Sequence, residues 1–155
     1  MLTLRISQYW ITKLQDELNK AGNIEIGGIL MAEQTAPGNF LVVEMTFQRA
    51  GGTIVSFMRN AHHALRALKR FFRRTGHRYT QFNYIGEWHS HPSFSVNPSD
   101  RDYSSMTELI DDPEVGADFL LLLIVRLNSE GALDATLTGY QPGQPPQIAR
   151  LITEA

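Results

Sequence analysis

The chain has 155 residues, 43% of them hydrophobic and 19% charged, which is the size and make-up of one globular domain able to bury roughly two-thirds of its unfolded surface. It contains no cysteine, which excludes a disulfide framework, a cysteine-type zinc ribbon, an iron–sulfur cluster and a thiol nucleophile. The formal net charge of -2 excludes a globally basic binder of nucleic acid or anionic lipid.

Ser7 has the character of an N-cap, and Tyr9, Trp10, Leu14 and Leu18 follow at helical spacing up to a C-cap at Gly22. The first helix is therefore expected from about Ser7 to Lys20. Ile24 to Met31 reads as a strand interrupted by Gly27-Gly28, a pair that calls for a close backbone or ligand approach. Ala36-Pro37-Gly38-Asn39 is a turn signal leading to a second strand, Phe40 to Gln48, so a hairpin is expected. Arg49 to Thr53 reads as a loop and Ile54 to Met58 as a short strand. Asn60 caps a second expected helix, Ala61 to Thr75, ended by Gly76, with Ala64, Leu65, Leu68, Phe71 and Phe72 as its apolar face. Tyr84 to Ser90 is a strand and Pro92 to Pro98 a loop. A third helix runs from Ser99 to about Ile110 and is broken by Asp111-Asp112-Pro113. Phe119 to Leu127 has the length and composition of a buried central strand. Leu133 to Tyr140 and Ile148 to Ile152 complete the strands, on either side of a Pro/Gly-rich stretch. The pattern predicts one α/β domain over residues 1–155, a mixed central sheet flanked by about three helices.

The chemistry is concentrated in His89-Ser90-His91-Pro92. Residues i and i+2 of a strand share a face, so two imidazoles emerge side by side. After a seven-residue loop come Ser99 and, three positions on, Asp102 in the first turn of the expected helix. Two His nitrogens and a carboxylate are a frequent catalytic zinc set that leaves a position for water. Ser99 with Asp102 also reads as a plain helix cap, a variant of the capping box. The combined pattern His-x-His-x7-Ser-x2-Asp arises by chance in roughly a few chains per ten thousand of this length, which favours the metal reading.

This pattern resembles the JAMM signature of the MPN-type (JAB) metallopeptidases. Glu25-Ile26-Gly27-Gly28 resembles the family's upstream glutamate with its Gly-Gly pair, and the order of elements along nearly the whole chain is similar. Glu87-Trp88 departs from the aromatic pair that many members carry there. The resemblance implies the cytidine-deaminase-like MPN/JAB fold, zinc bound by His89, His91 and Asp102, Glu25 as general acid/base, and Ser99 as a donor to the oxyanion. It implies a peptidase or isopeptidase that cuts after the C-terminal tail of a ubiquitin-like protein or conjugate. The short prokaryotic form is similar to deconjugases of bacterial anti-phage (CBASS) operons, which work beside E1- and E2-like enzymes. Processing of a sulfur-carrier protein uses the same site, and a non-catalytic scaffold is a further alternative that the intact motif disfavours.

Arg59, Arg66, Lys69, Arg70, Arg73, Arg74 and Arg78 are seven of the fourteen Lys and Arg residues. They read as a solvated helix face, with docking of an acidic partner protein as the functional alternative. No binding motif accompanies them, so no nucleic-acid partner is expected. His62-His63 are adjacent in a helix and share no face, and Asp111-Asp112-Pro113-Glu114 lacks calcium-loop spacing. Met1 to Ile6 has no leader-like pattern, and the longest apolar run, Phe119 to Val125, is far short of the roughly 20 residues a bilayer needs. A cytoplasmic protein with no membrane partner is expected.

Overall fold

Leu120 to Val125 are all buried, so this run has both faces covered and shows no alternation. It is the core of strand β6 (Leu120–Leu127) in a computed structural model that describes residues 1–49 and 62–154. In chain order the elements are β1 (Thr3–Ser7), α1 (Gln8–Ala21), β2 (Ile26–Ala36), β3 (Asn39–Met45), β4 (Gln48–Arg49), α2 (His62–Arg74), β5 (Phe82–Ser90), α3 (Asp100–Asp111), β6, β7 (Leu133–Tyr140), β8 (Gln147–Ile148) and β9 (Arg150–Glu154). One mixed sheet takes the strands in the order β8-β7-β6-β5-β2-β3-β1-β9, with β4 paired to β2. β5 and β6 are parallel and joined through α3, and β1 is parallel to both β3 and β9.

The outermost strands of that order, β8 and β9, are separated in the chain by Ala149 alone. Ala149 N–H donates to Leu137 O (3.0 Å) and Arg150 N–H to Leu2 O (2.9 Å), so the sheet curls until its ends meet. Inside the curl, Ile11, Leu14 and Leu18 of α1 pack on Leu4, Ile6, Leu30, Trp88, Leu123 and Val125. On the outer face α2 covers Ile29 and Met31 through Ala67, Leu68 and Phe71. Beside it, α3 covers Leu120, Leu122 and Ile124 through Met106, Leu109 and Ile110.

Two glycines make this layering possible. Gly28 lies against Thr46, where a Cβ would overlap the Thr46 backbone and hydroxyl. Thr46 Oγ1 accepts from Ile29 N–H (2.9 Å), and its carbonyl accepts from Trp88 Nε1–H (2.8 Å), so the close approach ties β2 and β5 to the turn after β3. Gly86 has φ +148°, and a Cβ there would overlap the backbone of Leu121.

The expected helices, the hairpin and the mixed sheet are present, with local differences. Ser7 is the N-cap of α1, but its hydroxyl makes no cap hydrogen bond, and it also ends β1. Tyr9 is exposed and Ile11 takes its place in the core. In α2, Leu65 is 45% exposed and Ala67 is buried, because the buried stripe is Ala67, Leu68, Phe71 and Thr75. Leu65 falls about 100° round the helix from the centre of that stripe, and the small Ala67 lets the helix approach the sheet. The expected second strand of the hairpin divides into β3 and β4, and the last strand into β8 and β9. β1 is an additional strand that periodicity did not reveal. The expected strand at Ile54 to Met58, the loop at Gly51-Gly52, the Asn60 cap, Arg59 and the side chains of His62, His63 and Ala64 lie outside the described residues. Among the described residues no helix is long and apolar enough to cross a membrane.

Candidate metal centre

The register of β5 decides which side chains meet. His89 lies opposite Gly27 on β2 and Ile124 on β6, and Glu87 opposite Ile29 and Leu122. Ile29, Leu122 and Ile124 all belong to the outer face, so Glu87 and His89 point there, at the end of the parallel β5–β6 pair. Opposite residues of an antiparallel pair are side-chain neighbours. Gly27 therefore leaves the His89 imidazole uncrowded from β2.

His91 follows one residue after β5 and is held there by its N–H, which donates to Val125 O (3.0 Å). Asp102 is the third residue of α3. His89 Nε2 lies 2.9 Å from Asp102 Oδ1, His91 Nε2 lies 3.3 Å from Asp102 Oδ2, and the two Nε2 atoms are 3.2 Å apart. The donor atoms of His89, His91 and Asp102 all lie within 4.8 Å of one another.

The surrounding groups orient these donors. His91 Nδ1 is 2.6 Å from the Ser95 carbonyl, which only accepts, so Nδ1 carries a proton and Nε2 is the nitrogen turned to the centre. Phe94 stacks on the His91 ring at 4.1 Å. The loop carrying Phe94 and Ser95 is pinned from outside: Arg126 donates to Phe94 O (2.9 Å) and Thr136 Oγ1 to Val96 O (2.6 Å). Asp102 Oδ2 accepts from Ser99 N–H (2.8 Å) and from Ser99 Oγ (3.0 Å), while Asp102 N–H donates to Ser99 Oγ (3.2 Å). The capping box is therefore real, and it also aims the Asp102 carboxylate at the two imidazoles.

Burial alone would raise the Asp102 pKa, but hydrogen bonds from both imidazoles and the Ser99 backbone hold this carboxyl well below the usual range. Burial opposes charge on His91, yet Asp102, the Ser95 carbonyl and Glu25 together raise its pKa. Tyr140, buried beside Asp102, is pushed up to about 12, first by burial and then by the charge of Asp102. Two imidazole nitrogens and a carboxylate oxygen so converged, with the His91 ring held from behind by the Ser95 carbonyl, fit a zinc-type divalent cation with a coordination position to spare.

Glu25 is placed differently from the rest. β2 begins at Ile26, so Glu25 lies just ahead of the strand rather than on it, and it is exposed. It is close enough to act on the charge of His91, but among the described residues no hydrogen bond ties it to the cluster. Its position is set from behind by Ser90. This fully buried residue, between the two histidines, faces inward, and its Oγ accepts from Ile26 N–H (3.0 Å). Sequence reasoning gave no role to Ser90 and Ser95. The signal for Ser90 was available: a polar residue between two same-face ligands must point into the sheet's other face.

Residues 7–136 match the family model described as prokaryotic homologues of the JAB domain. A protein of Enterobacter hormaechei subsp. hoffmannii named CD-NTase/cGAS isopeptidase is 34% identical over 149 residues, covering 94% of this chain and 79% of that protein. A protein from Desulfitobacterium hafniense, solved in solution, superimposes with a TM-score of 0.71 at 17% identity, covering 97% of this chain and 92% of that one. The crystal structure of a JAB1/MPN domain protein from Archaeoglobus fulgidus does so with a TM-score of 0.50 at 15% identity, covering 97% and 98%. These two likenesses concern the fold. The family match spans most of the chain, and the relative agrees along nearly all of it: the chain belongs to the prokaryotic JAB family.

Proposed function

We propose that this protein is a zinc-dependent isopeptidase that cleaves after the extended C-terminal tail of a ubiquitin-like protein, releasing it from a conjugate in a bacterial anti-phage conjugation system. The observation that carries the reading is the convergence of His89 Nε2, His91 Nε2 and the Asp102 carboxylate. The isopeptidase name of the Enterobacter relative supports an isopeptide-type substrate, and the E1- and E2-like enzymes that the family resemblance implies would be the neighbouring partners.

His89, His91 and Asp102 would hold the zinc. A metal held there would supply Lewis-acid polarisation of the scissile carbonyl and a water nucleophilic near neutral pH. Glu25 accepts the proton of the attacking water on a carboxylate oxygen and returns it to the leaving amine nitrogen. Ser99 Oγ–H turns from Asp102 toward the developing oxyanion. Gly27 keeps β2 clear beside His89, where an extended glycine-ended tail would lie.

The test presents one tail two ways, on its folded ubiquitin-like domain joined to a target lysine and as a free peptide, with and without chelator, read by intact mass. Metal analysis is expected to find about one equivalent, as for a single three-ligand site, and to find none in the His89→Ala/His91→Ala variant. The folded conjugate should be cut after its last glycine, the free peptide poorly, and neither with chelator present. Equal cutting of peptide and conjugate, or tolerance of a bulky last residue, would replace the deconjugase reading by a general or sulfur-carrier-type peptidase. Unchanged metal content in the double variant would overturn the metal assignment.

A further inference from the structure

Away from the metal centre, a groove of about 540 Å³ runs between α1, β3 and α2, lined by Trp10, Val43, Glu44, Arg70, Arg73 and Arg74. We infer that it docks an extended acidic segment of a partner protein, added alongside β3. The groove shares no residue with the metal centre, so the inference stands apart from the proposed activity.

Charge is the first argument. Three guanidiniums and one carboxylate give the groove a formal charge of +2 (3 - 1) on a chain whose net charge is -2. Arg74 is paired with Glu44 at 2.8 Å. Arg70 and Arg73 are exposed and have no acidic partner among the described residues. They would otherwise be an ordinary solvated helix face, but these two stand over a groove with Trp10 on its far wall.

Strand geometry is the second. β1 pairs with β3 only at Asn39, Phe40 and Leu41. The β2–β3 register then runs from Ala32↔Val42 to Met31↔Glu44, which leaves Val43 as a bulge, and among the described residues no strand pairs with the outer edge beyond it. An edge that no described strand pairs can take an added strand. Side chains alternate along an added strand. One set would face the guanidiniums of Arg70 and Arg73, and the other the indole of Trp10, so the fitting segment alternates acidic with apolar residues. A nucleic-acid strand fits less well. Glu44 lines the groove and opposes phosphate, and Trp10 is the one aromatic ring among the lining residues, so successive bases have no row of rings to stack on.

The experiment titrates the full chain into a fluorescein-labelled decapeptide alternating Glu with Val, followed by anisotropy and by tryptophan emission. Trp88 is fully buried, so a change in emission reports on Trp10. Saturable binding that weakens several-fold between low and about 0.5 M salt, as surface charge pairing requires, is the expected result. Arg70→Glu with Arg73→Glu should weaken it at least about tenfold with an unchanged thermal midpoint. Trp10→Phe should abolish the emission change and keep the binding. A peptide with proline at its central position should bind at least about tenfold more weakly, because proline withdraws a main-chain donor and disrupts the added strand. The inference is overturned if the charge-reversed variant binds as well as the parent, if the proline peptide binds equally, or if a single-stranded oligonucleotide binds more tightly with the same dependence on Arg70 and Arg73.

Discussion

Ser90 sits between two ligands yet faces away from them, and that inward turn is what makes it useful. Its hydroxyl takes the N–H of Ile26, the residue next to Glu25, so the strand that ends between His89 and His91 also fixes the chain that carries the proposed acid/base. Glu25→Gln should leave metal content and melting unchanged and lower kcat about 100- to 10,000-fold, the usual contribution of a general acid–base group. Ser90→Ala removes the acceptor of a buried N–H and should lose about 1–3 kcal/mol of stability in urea titrations. Acting as a positioning residue, it should also lower kcat with KM and metal content unchanged. In the Glu25→Gln background it should lower kcat no further, and Ser90→Thr should restore most of it. An equal fractional loss in both backgrounds would reduce Ser90 to a purely structural role. Gly27 and Gly28, adjacent in the sequence, divide their tasks: one leaves room beside His89, the other accepts the close approach of Thr46.

The third helix does two things with one pair of side chains. Ser99 and Asp102 close a reciprocal cap, and the oxygen that accepts from Ser99 also faces His91. Ser99→Ala should therefore lose about 1 kcal/mol through the cap and, if its hydroxyl donates to the oxyanion, on the order of 100-fold in kcat. Ser99→Thr keeps a hydroxyl in reach and should recover both. Melting and single-turnover rates measured together separate the effects: a rate that falls only as much as the folded fraction would leave Ser99 as a cap alone. The seven-residue loop between His91 and Ser99 is likewise not free to choose its path. Its carbonyls at Phe94, Ser95 and Val96 are each taken by a side chain from β6, from His91 or from β7.

Across the molecule, the sheet depends on backbones approaching where a side chain would intrude. Gly86→Ala should destabilise by at least about 2–3 kcal/mol, because left-handed strain adds to overlap with Leu121. Gly131→Ala is the matched comparison: its φ is +80°, but nothing lies within 4 Å of a Cβ there, so only the strain of about 1–2 kcal/mol applies. Equal urea midpoints for the two variants would mean that β5 and β6 can separate locally without loss.

The metal-binding pattern was legible in the chain because its spacing is local. His89 and His91 share a face by the pleat alone, and Ser99 and Asp102 face each other by the first turn of a helix alone. The long apolar run of β6 and the stripes of the helices were legible for the same reason. The strand at Thr3–Ser7 was not. It is short, and its partners, residues 39–41 and 150–154, lie far away in the chain. The exact burial stripe of α2 was not legible either, since it depends on where Ile29 and Met31 stand beneath it. Nor did the sequence say that Glu25 precedes its strand, that Ser90 Oγ accepts from the N–H of Ile26, or that the edge at Val43 has no paired strand among the described residues. The residue types and spacings determined which atoms could bind a metal and that the chain folds as a mixed α/β layer. Only the tertiary structure decided the strand order, the closure at Ala149 and the register that sets His89 opposite Gly27, because these depend on hydrogen bonds and side-chain overlap between segments that no local periodicity connects.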